Sequence, residues 1–357
     1  MQFSSPQWFQ KPEDYSKESV NLLREYEAVR NFAGLFNFTP FGKIGIKGKD
    51  RVKFLQGLTS NDISQLSDGN GLYTIFPTVK GKIESEGMIY AFSNHFLLIV
   101  QPDLREKTLR ILNKFKIGSD AQMEDLTEKF FLLSIQGPRS EKILFEFFHA
   151  PLPELQPFNF VSLLMEESPI QIIRNGWSGE EGFDLLTPFS HGEEIRTRLL
   201  EAGKSLGLIP VGEEAFETIR IEAGLPRYGA ELSDEILPQE AGLDQKAISY
   251  TKGCYIGQET IARLHYLGHT NRSLVGLLLD HDIPEKNDKI VSGEKQIGWI
   301  TSRSFSPSLK QVISLGYLHR QYVQAGTAVE IDHQGEKMKA VVTDLPFYKS
   351  EQEKKAS

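Results

Sequence analysis

The chain has 357 residues, of which 25% are charged and 39% hydrophobic, and its formal net charge is −8. This composition is typical of a globular protein with a sizeable core, and the length suggests about two or three domains. The acidic balance argues against a general nucleic-acid-binding surface, which needs a basic excess. The one cysteine, Cys254, excludes an internal disulfide framework and a cysteine-rich zinc or iron–sulfur site built by this chain alone.

The N-terminal residues lack a basic region followed by an apolar core, so no signal peptide is expected. The longest apolar runs, such as residues 96–100, are far too short to span a bilayer. His265 and His269 lack the further residues of a metal-binding motif, and no metal site is predicted. We therefore expect a cytoplasmic monomer that contacts neither membrane nor nucleic acid directly.

The first half of the chain mixes helix and strand patterns. An apolar residue recurs at every third position from Val20 to Val29, which predicts a helix. Strands are predicted over residues 41–47, 71–76, 88–92, 96–100 and 130–135. Residues 77–87 are predicted to form a loop between two of these strands. The clearest helix runs from Glu213 to Ala223 and stops at Gly224.

After residue 271 only short strand patterns remain, separated by Gly, Pro, Asp and Ser turns. They fall at residues 274–279, 296–301, 312–317, 328–331 and 339–342. This spacing predicts a small antiparallel β-barrel. We therefore predict an α+β protein with a discontinuous α/β body over residues 18–270 and a barrel over residues 271–348. Residues 1–17 and 349–357 are polar and are predicted to be flexible ends.

Residues 250–263 place polar and charged groups around Cys254, which Gly253 and Gly257 flank. A reactive thiol needs its thiolate stabilised, and a cation such as Lys252 can do so. The opposite interpretation is that Cys254 is a buried, inert, small hydrophobic residue.

Residues 252–259, Lys-Gly-Cys-Tyr-Ile-Gly-Gln-Glu, resemble the K-G-C-[FY]-x-G-Q-E signature of the YgfZ-type folate-binding proteins. That family is a branch of the glycine cleavage T-protein, or aminomethyltransferase, superfamily. The resemblance extends from about residue 31 to residue 348. It implies two interleaved α/β modules around a central folate site, with tetrahydrofolate or a related reduced folate as the cofactor. Among the signature residues, Gln258 is predicted to contact the folate.

Residues 174–184 resemble the superfamily's Y-T-G-E-x-G-F-E turn. The resemblance implies that Glu180 and Asp184 bind the folate, because a carboxylate can accept paired N–H bonds from a pterin ring. The alternative is a tight surface hairpin with solvated acids.

Residues 220–232 match the superfamily's R-x-E-A-G-x-P-x-Y-G-x-E-L. Arg220 or Arg227 could bind a folate glutamyl tail, since guanidinium suits carboxylates. Alternatively, both arginines pair with Glu217 or Glu222 along the helix.

One departure from the superfamily influences the functional prediction. T-proteins carry an Asp-Asp pair after a G-G-I-L turn, and residues 81–86 place Ser85 and Glu86 at those positions. Serine cannot replace a carboxylate that balances a charged amine. Glu86 can serve as the second acid, and a shift of one residue would bring Glu84 nearer the site.

We therefore predict a YgfZ-like folate-binding protein that supports the assembly or repair of iron–sulfur enzymes, including tRNA-modifying enzymes. Its chemical residues would be Cys254, Lys252 and Glu86, and its transient partners would be iron–sulfur client enzymes. Whether it catalyses a reaction is left open. The alternatives are a tetrahydrofolate-dependent aminomethyltransferase of glycine cleavage and a non-enzymatic scaffold that does not bind folate.

Overall fold

A computed structural model describes residues 17–165, 168–280 and 283–350. The α-helices are α1 (Lys17–Asn31), α2 (Arg51–Leu58), α3 (Arg105–Phe115), α4 (Ser140–Phe148), α5 (Gly192–Gly203), α6 (Glu213–Glu222), α7 (Asp244–Ala247) and α8 (Gln258–Leu267). The strands of the first half are β1 (Ala33–Asn37), β2 (Gly42–Lys47), β3 (Gly71–Pro77), β4 (Ile83–Ala91), β5 (Phe96–Val100), β6 (Gln122–Asp125), β7 (Phe130–Gln136), β8 (Phe160–Met165), β9 (Ser168–Arg174), β10 (Gly182–Pro188) and β11 (Leu208–Pro210). The remaining strands are β12 (Arg272–Leu279), β13 (Lys289–Ser292), β14 (Lys295–Ser306), β15 (Gln311–His319), β16 (Ala328–His333) and β17 (Glu336–Thr343).

These strands form two sheets and a closed barrel. The five-stranded sheet has the order β3-β4-β5-β2-β6, and the six-stranded sheet has the order β11-β1-β7-β10-β9-β8. The two modules are interleaved, because β1 belongs to the six-stranded sheet while the next strand, β2, belongs to the other. The predicted α+β fold, with two α/β modules and a C-terminal antiparallel barrel, is confirmed.

The two sheets pack against each other through one face each. In β4 the side chain of Ile89 lies in the core beneath α2 and α3. Its neighbour Tyr90 points to the opposite face, as strand alternation requires, and packs with Leu132 and Ile173 of the other sheet. Met88 and Tyr90 of β4 therefore face the six-stranded sheet.

The barrel is closed in the order β12-β15-β14-β13-β16-β17, and all its pairs are antiparallel. Strand β14 is longer than predicted because Arg303 and Ser304 continue its ladder, pairing with Ser314 and Ile313. Backbone pairing does not need apolar side chains, so an apolar pattern underestimates such a strand.

The barrel packs firmly on the body. Phe347 and Leu345, which follow β17, pack with Ile221 of α6. Arg272 of β12 donates to the carboxylate of Glu240 at 3.0 Å. The predicted division into residues 18–270 and 271–348 stays a prediction about folding units.

The predicted flexible ends lie almost entirely outside the described residues. Within the described part, α1 begins at Lys17, and Ser350 is buried. No helix in the described ranges is both long and apolar enough to cross a membrane.

Candidate functional site

Asp184 lies on β10, on the face that meets the five-stranded sheet, and only 3% of it is exposed. Its Oδ2 accepts a hydrogen bond from Asn175 Nδ2 at 2.7 Å. Its Oδ1 is buried and accepts no hydrogen bond of good geometry from the described residues, although the Ser134 hydroxyl is close enough to stabilise the carboxylate. Burial raises the pKa of the Asp184 carboxyl to about 6, and its polar neighbours Ser134 and Asn175 oppose the rise. A buried carboxylate with one unused oxygen is an acceptor prepared for an N–H donor.

Aromatic side chains stand beside this carboxylate. Ser134 is the cross-strand neighbour of Asp184, and its Oγ accepts a hydrogen bond from Trp177 Nε1 at 3.1 Å. Trp177 packs against Phe36 and Phe216, with ring centroids 4.9 Å apart in each pair. Flat apolar surfaces next to a hydrogen-bonding carboxylate suit a planar ligand with N–H groups.

Glu86 is a second buried acid, on β4, and 5% of it is exposed. Its Oε2 accepts a short hydrogen bond from the Tyr73 hydroxyl, and its Oε1 accepts one from Gln101 Nε2 at 2.9 Å. Burial raises the pKa of Glu86 to about 7; hydrogen bonds from Tyr73 and the Tyr228 N–H oppose this, and the nearby Glu231 adds to it. Glu86 can therefore hold or release a proton near neutral pH.

The two acids lie on facing sheets. Asn175, the partner of Asp184, places its Nδ2 3.7 Å from Met88 Sδ of β4. Met88 and Glu86 are two residues apart on one strand, which separates them by about 7 Å on the same face. Met88 thus links the surroundings of Asp184 on one sheet to Glu86 on the other.

Ser85 and Glu86 point in opposite directions. Residues 83–86 belong to β4, so the predicted loop over residues 77–87 ends earlier than expected. The Ser85 hydroxyl is buried 2.6 Å from Thr108 Oγ1 of α3. The serine that was expected to disable the site therefore lies on the helix-covered face, away from Glu86. Glu84, two residues before Glu86, is only partly buried.

Both predicted arginines take part in ion pairs. Arg220 is 3% exposed and donates to Glu217, Glu231 and the Ser302 hydroxyl, so it ties α6 to the barrel. Arg227 lies 2.9 Å from Glu217 Oε1, and its side chain is 38% exposed. Both arginines therefore pair with Glu217, as the second interpretation of the sequence expects. Of the two, only Arg227 is accessible to solvent.

Glu180 and Asp184 are only four residues apart in the chain, but their carboxylates lie in different surroundings. Its carboxylate is 3.5 Å from the buried guanidinium of Arg30, which also binds Glu222 at 2.7 Å. The Arg30 guanidinium stacks on Tyr348, 3.8 Å from the ring centroid. Glu180 thus belongs to a buried ion-pair cluster at the junction of body and barrel.

Lys252 binds backbone carbonyls. Its Nζ donates to the carbonyl oxygens of Gln56, Thr59 and Asn61 at 2.6–2.9 Å. Burial lowers the pKa of Lys252 to about 8, which leaves mostly ammonium at neutral pH. Cys254 is exposed. The Lys252 ammonium was predicted to stabilise the Cys254 thiolate. Its three protons are instead donated to carbonyl oxygens at the end of α2 and in the turn after it.

Gly257, in the signature over residues 252–259, allows two backbone segments to approach closely. Gly257 has φ +79°, and a Cβ there would lie 2.3 Å from the carbonyl oxygen of Thr78. Gln258 begins α8, and its Nε2 is 3.5 Å from the carbonyl oxygen of Lys252. The signature thus packs α8 against the β3–β4 turn. Within the described ranges, Cys254, Lys252 and Glu86 share none of their hydrogen-bond partners.

We expect Lys252→Met to lower the free energy of unfolding by about 2–4 kcal/mol, because three buried carbonyls lose a charged donor. Cys254→Ser should change it by less than about 0.5 kcal/mol, since the residue is exposed. Urea unfolding of both variants measures the difference. Equal stability of the two variants would show that the Lys252 hydrogen bonds contribute nothing.

Several residues of this site have no signal in the sequence. Tyr73, Gln101 and Ser134 are ordinary polar or aromatic positions within or beside strands, and Asn175 lies in the turn over residues 174–184 without a predicted role of its own. The alternation in β4 was the one available clue, because it places Glu86 and Met88 on the same face.

Comparisons with known proteins extend over nearly the whole chain. Residues 1–252 match the model of the GCVT N-terminal domain, and residues 272–349 match that of the glycine cleavage T-protein C-terminal barrel domain. The chain is 34% identical to an aminomethyltransferase of Thermoanaerobacter pseudethanolicus over 94% of this chain and 91% of the relative. It is 36% identical to that of Caldanaerobacter subterraneus subsp. tengcongensis over 94% and 90%. The crystal structure of glycine cleavage system aminomethyltransferase T from Bartonella henselae superposes with a TM-score of 0.84 and 25% identity, covering 92% of this chain and 90% of that one.

Proposed function

We propose, since this chain belongs to the glycine cleavage T-protein family, that it is an aminomethyltransferase that passes a one-carbon unit to tetrahydrofolate. The observation that carries the proposal is the pair of buried acids on facing sheets. Asp184 offers an unused acceptor oxygen, and Glu86 has a pKa of about 7. These are the two capacities that binding a pterin and moving a proton require.

The predicted YgfZ-like function in iron–sulfur enzyme assembly is wrong. Relatives that are 34–36% identical over 94% of the chain are named aminomethyltransferase, and the prediction of iron–sulfur client partners is not supported. That prediction rested on the signature over residues 252–259 and on Ser85 in place of an acid, and the Ser85 side chain lies on the far face of β4. The alternative, aminomethyl transfer, is the better interpretation.

The predicted cofactor, tetrahydrofolate or a related reduced folate, is confirmed by membership of this folate-dependent family. The residues present fit such a ligand, because Asp184 Oδ1 is buried without a well-oriented donor among the described residues and aromatic rings lie beside it. Asp184 would hold the N–H groups of the pterin. Tetrahydrofolate supplies the nitrogen that accepts the one-carbon unit.

Glu86 is the group we assign to proton transfer. An amine that leaves from an aminomethyl carbon needs a proton, and a carboxyl group with a pKa of about 7 can hold it. Tyr73 and Gln101 fix the two carboxyl oxygens, so the acid is oriented before the substrate arrives.

Arg227 is the residue we assign to the glutamyl end of the folate. It is next to Tyr228, whose backbone lowers the pKa of Glu86, and its side chain is accessible to solvent. We therefore place an elongated ligand along Asp184, Met88, Glu86 and Arg227. The partners expected for this activity are the other proteins of glycine cleavage, and a cytoplasmic, monomeric protein is part of the same proposal.

Two measurements test the proposal on the purified 357-residue protein. Calorimetry should detect tetrahydrofolate binding, and a reconstituted glycine-cleavage assay should show turnover that depends on this protein. Binding without turnover would leave the transferase assignment wrong, and absence of both would favour the scaffold alternative.

A further inference from the structure

We propose that Gln136 is a positioning residue for Asp184, because its side-chain amide holds the two residues that neighbour that carboxylate. The inference rests on the proposed function, in which Asp184 binds the folate. Sequence patterns give Gln136 no role, since it falls just after the predicted strand over residues 130–135.

All the hydrogen-bonding capacity of the Gln136 amide is used. Its Nε2 donates to Ser134 Oγ at 2.9 Å and to the carbonyl oxygen of Asn175 at 2.8 Å. Its Oε1 accepts from Ser178 Oγ at 3.0 Å and from the Ser178 N–H at 3.4 Å. The residue has no exposed surface. An amide with two donor and two acceptor contacts has only one orientation that satisfies them all.

Two of the residues that Gln136 binds are the neighbours of Asp184. Asn175 donates to Asp184 Oδ2, and Ser134 lies directly across the ladder from Asp184. Gln136 is therefore hydrogen-bonded to the residues on both sides of the Asp184 carboxylate. With these two positions fixed, Oδ2 is occupied by Asn175, and Oδ1 is the oxygen left for a ligand.

The strand beside Gln136 is shaped to accommodate it. Gly182 pairs with Gln136 in the β10–β7 ladder, and a Cβ at Gly182 would lie 2.3 Å from the amide atoms of Gln136. Any larger residue at position 182 would displace the amide. The absence of a side chain at Gly182 is thus a condition for the arrangement around Asp184.

The hydrogen bonds also continue away from the site. The carbonyl oxygen of Ser178 accepts from Arg30 at 2.8 Å, and Arg30 binds Glu222. Glu222 accepts a hydrogen bond from Ser306 of the barrel. Gln136 is therefore the link between Asp184 and the buried ion-pair cluster at the junction of body and barrel.

A purely structural amide would stabilise the sheet without affecting the Asp184 carboxyl. The two roles can be separated by the affinity for tetrahydrofolate and by the titration of Asp184, followed by ¹³C NMR of its carboxyl carbon. Tyr90 and Glu86 are titratable groups on β4 of the opposite sheet. Burial keeps Tyr90 protonated throughout the relevant range, and Glu86, which titrates near pH 7, is the same in the wild type and in the variants compared.

In Gln136→Met, tetrahydrofolate binding measured by calorimetry should weaken about tenfold or more, because the neighbours of Asp184 lose their orientation. KM for tetrahydrofolate should rise more than kcat falls. The titration midpoint of Asp184 should move to higher pH, since Asn175 and Ser134 stabilise the carboxylate less well when they are free to turn. The matched control is Phe147→Leu, which loosens the helix-side core of the same sheet without contacting this network.

Ser178→Ala provides a milder second variant, because it removes one hydrogen bond to Gln136 and leaves the neighbours of Asp184 in place. It should shift both readouts in the same direction by a smaller amount. The inference is overturned if Gln136→Met binds tetrahydrofolate and titrates like the wild type, or if Phe147→Leu shifts Asp184 equally. If the wild type does not bind tetrahydrofolate, the proposed function fails, while the titration still decides whether Gln136 positions Asp184.

Discussion

Glu86→Gln is expected to lower kcat for aminomethyl transfer by about 10²–10⁴-fold, because the variant cannot hold a transferable proton. Glutamine keeps the shape of the side chain and can still accept a hydrogen bond from Gln101. Tetrahydrofolate affinity should therefore change little. The reconstituted glycine-cleavage assay gives kcat, and calorimetry gives the affinity; a variant with wild-type kcat would remove Glu86 from the mechanism.

The same substitution should stabilise the folded protein above pH 7. The pKa of Glu86 is raised from 4.5 to about 7 by burial, so below pH 4.5 both folded and unfolded states hold the proton. Between pH 4.5 and 7 the unfolded chain loses its proton first, and stability falls as pH rises. The loss reaches at most about 3 kcal/mol above pH 7, and Glu86→Gln does not suffer it.

Urea unfolding at pH 4.5 and pH 8 measures this effect. The gain in free energy of unfolding of Glu86→Gln over the wild type should be small at pH 4.5 and largest at pH 8. Glu128→Gln is the control, because Glu128 is exposed and its substitution should have little effect at either pH. A gain of the same size at both pH values would contradict the assigned titration.

Asp184→Asn should weaken tetrahydrofolate binding by about 10–100-fold, since hydrogen bonds to a charged group contribute roughly 1.5–3 kcal/mol each. The ligand-free variant should be more stable than the wild type above pH 6. Burial raises the pKa of Asp184 from 3.8 to about 6, so the wild type loses up to about 3 kcal/mol as pH rises through that interval. Calorimetry and urea unfolding at pH 8 measure the two effects.

Thr187→Val is the matched control for this variant. Thr187 lies on the same strand, and its hydroxyl is also buried without a partner in the part of the chain that the structure describes, but it is three residues away and on the opposite face. Its replacement should leave tetrahydrofolate binding unchanged. If Asp184→Asn binds as tightly as Thr187→Val, Asp184 does not hold the pterin.

Several features of the fold were accessible from local patterns. The run of short strands after residue 271 predicts the barrel because each strand alternates and ends at a turn. The helix ending before Gly224 was predicted to within one residue. Strand β11 was not, because its three residues are too few to show a period and it exists only by pairing with β1.

The sequence by itself determined the superfamily, because its motifs extend over most of the chain and local order is enough to recognise them. It also supplied the candidate acids. Only the tertiary structure decided which acids can act: Glu86 and Ser85 are adjacent, yet strand direction sends them to opposite faces of β4. In the same way Glu180 is paired with Arg30, whereas Asp184 keeps an unused oxygen. Burial and hydrogen-bond partners from distant segments set these differences, and no local pattern contains them.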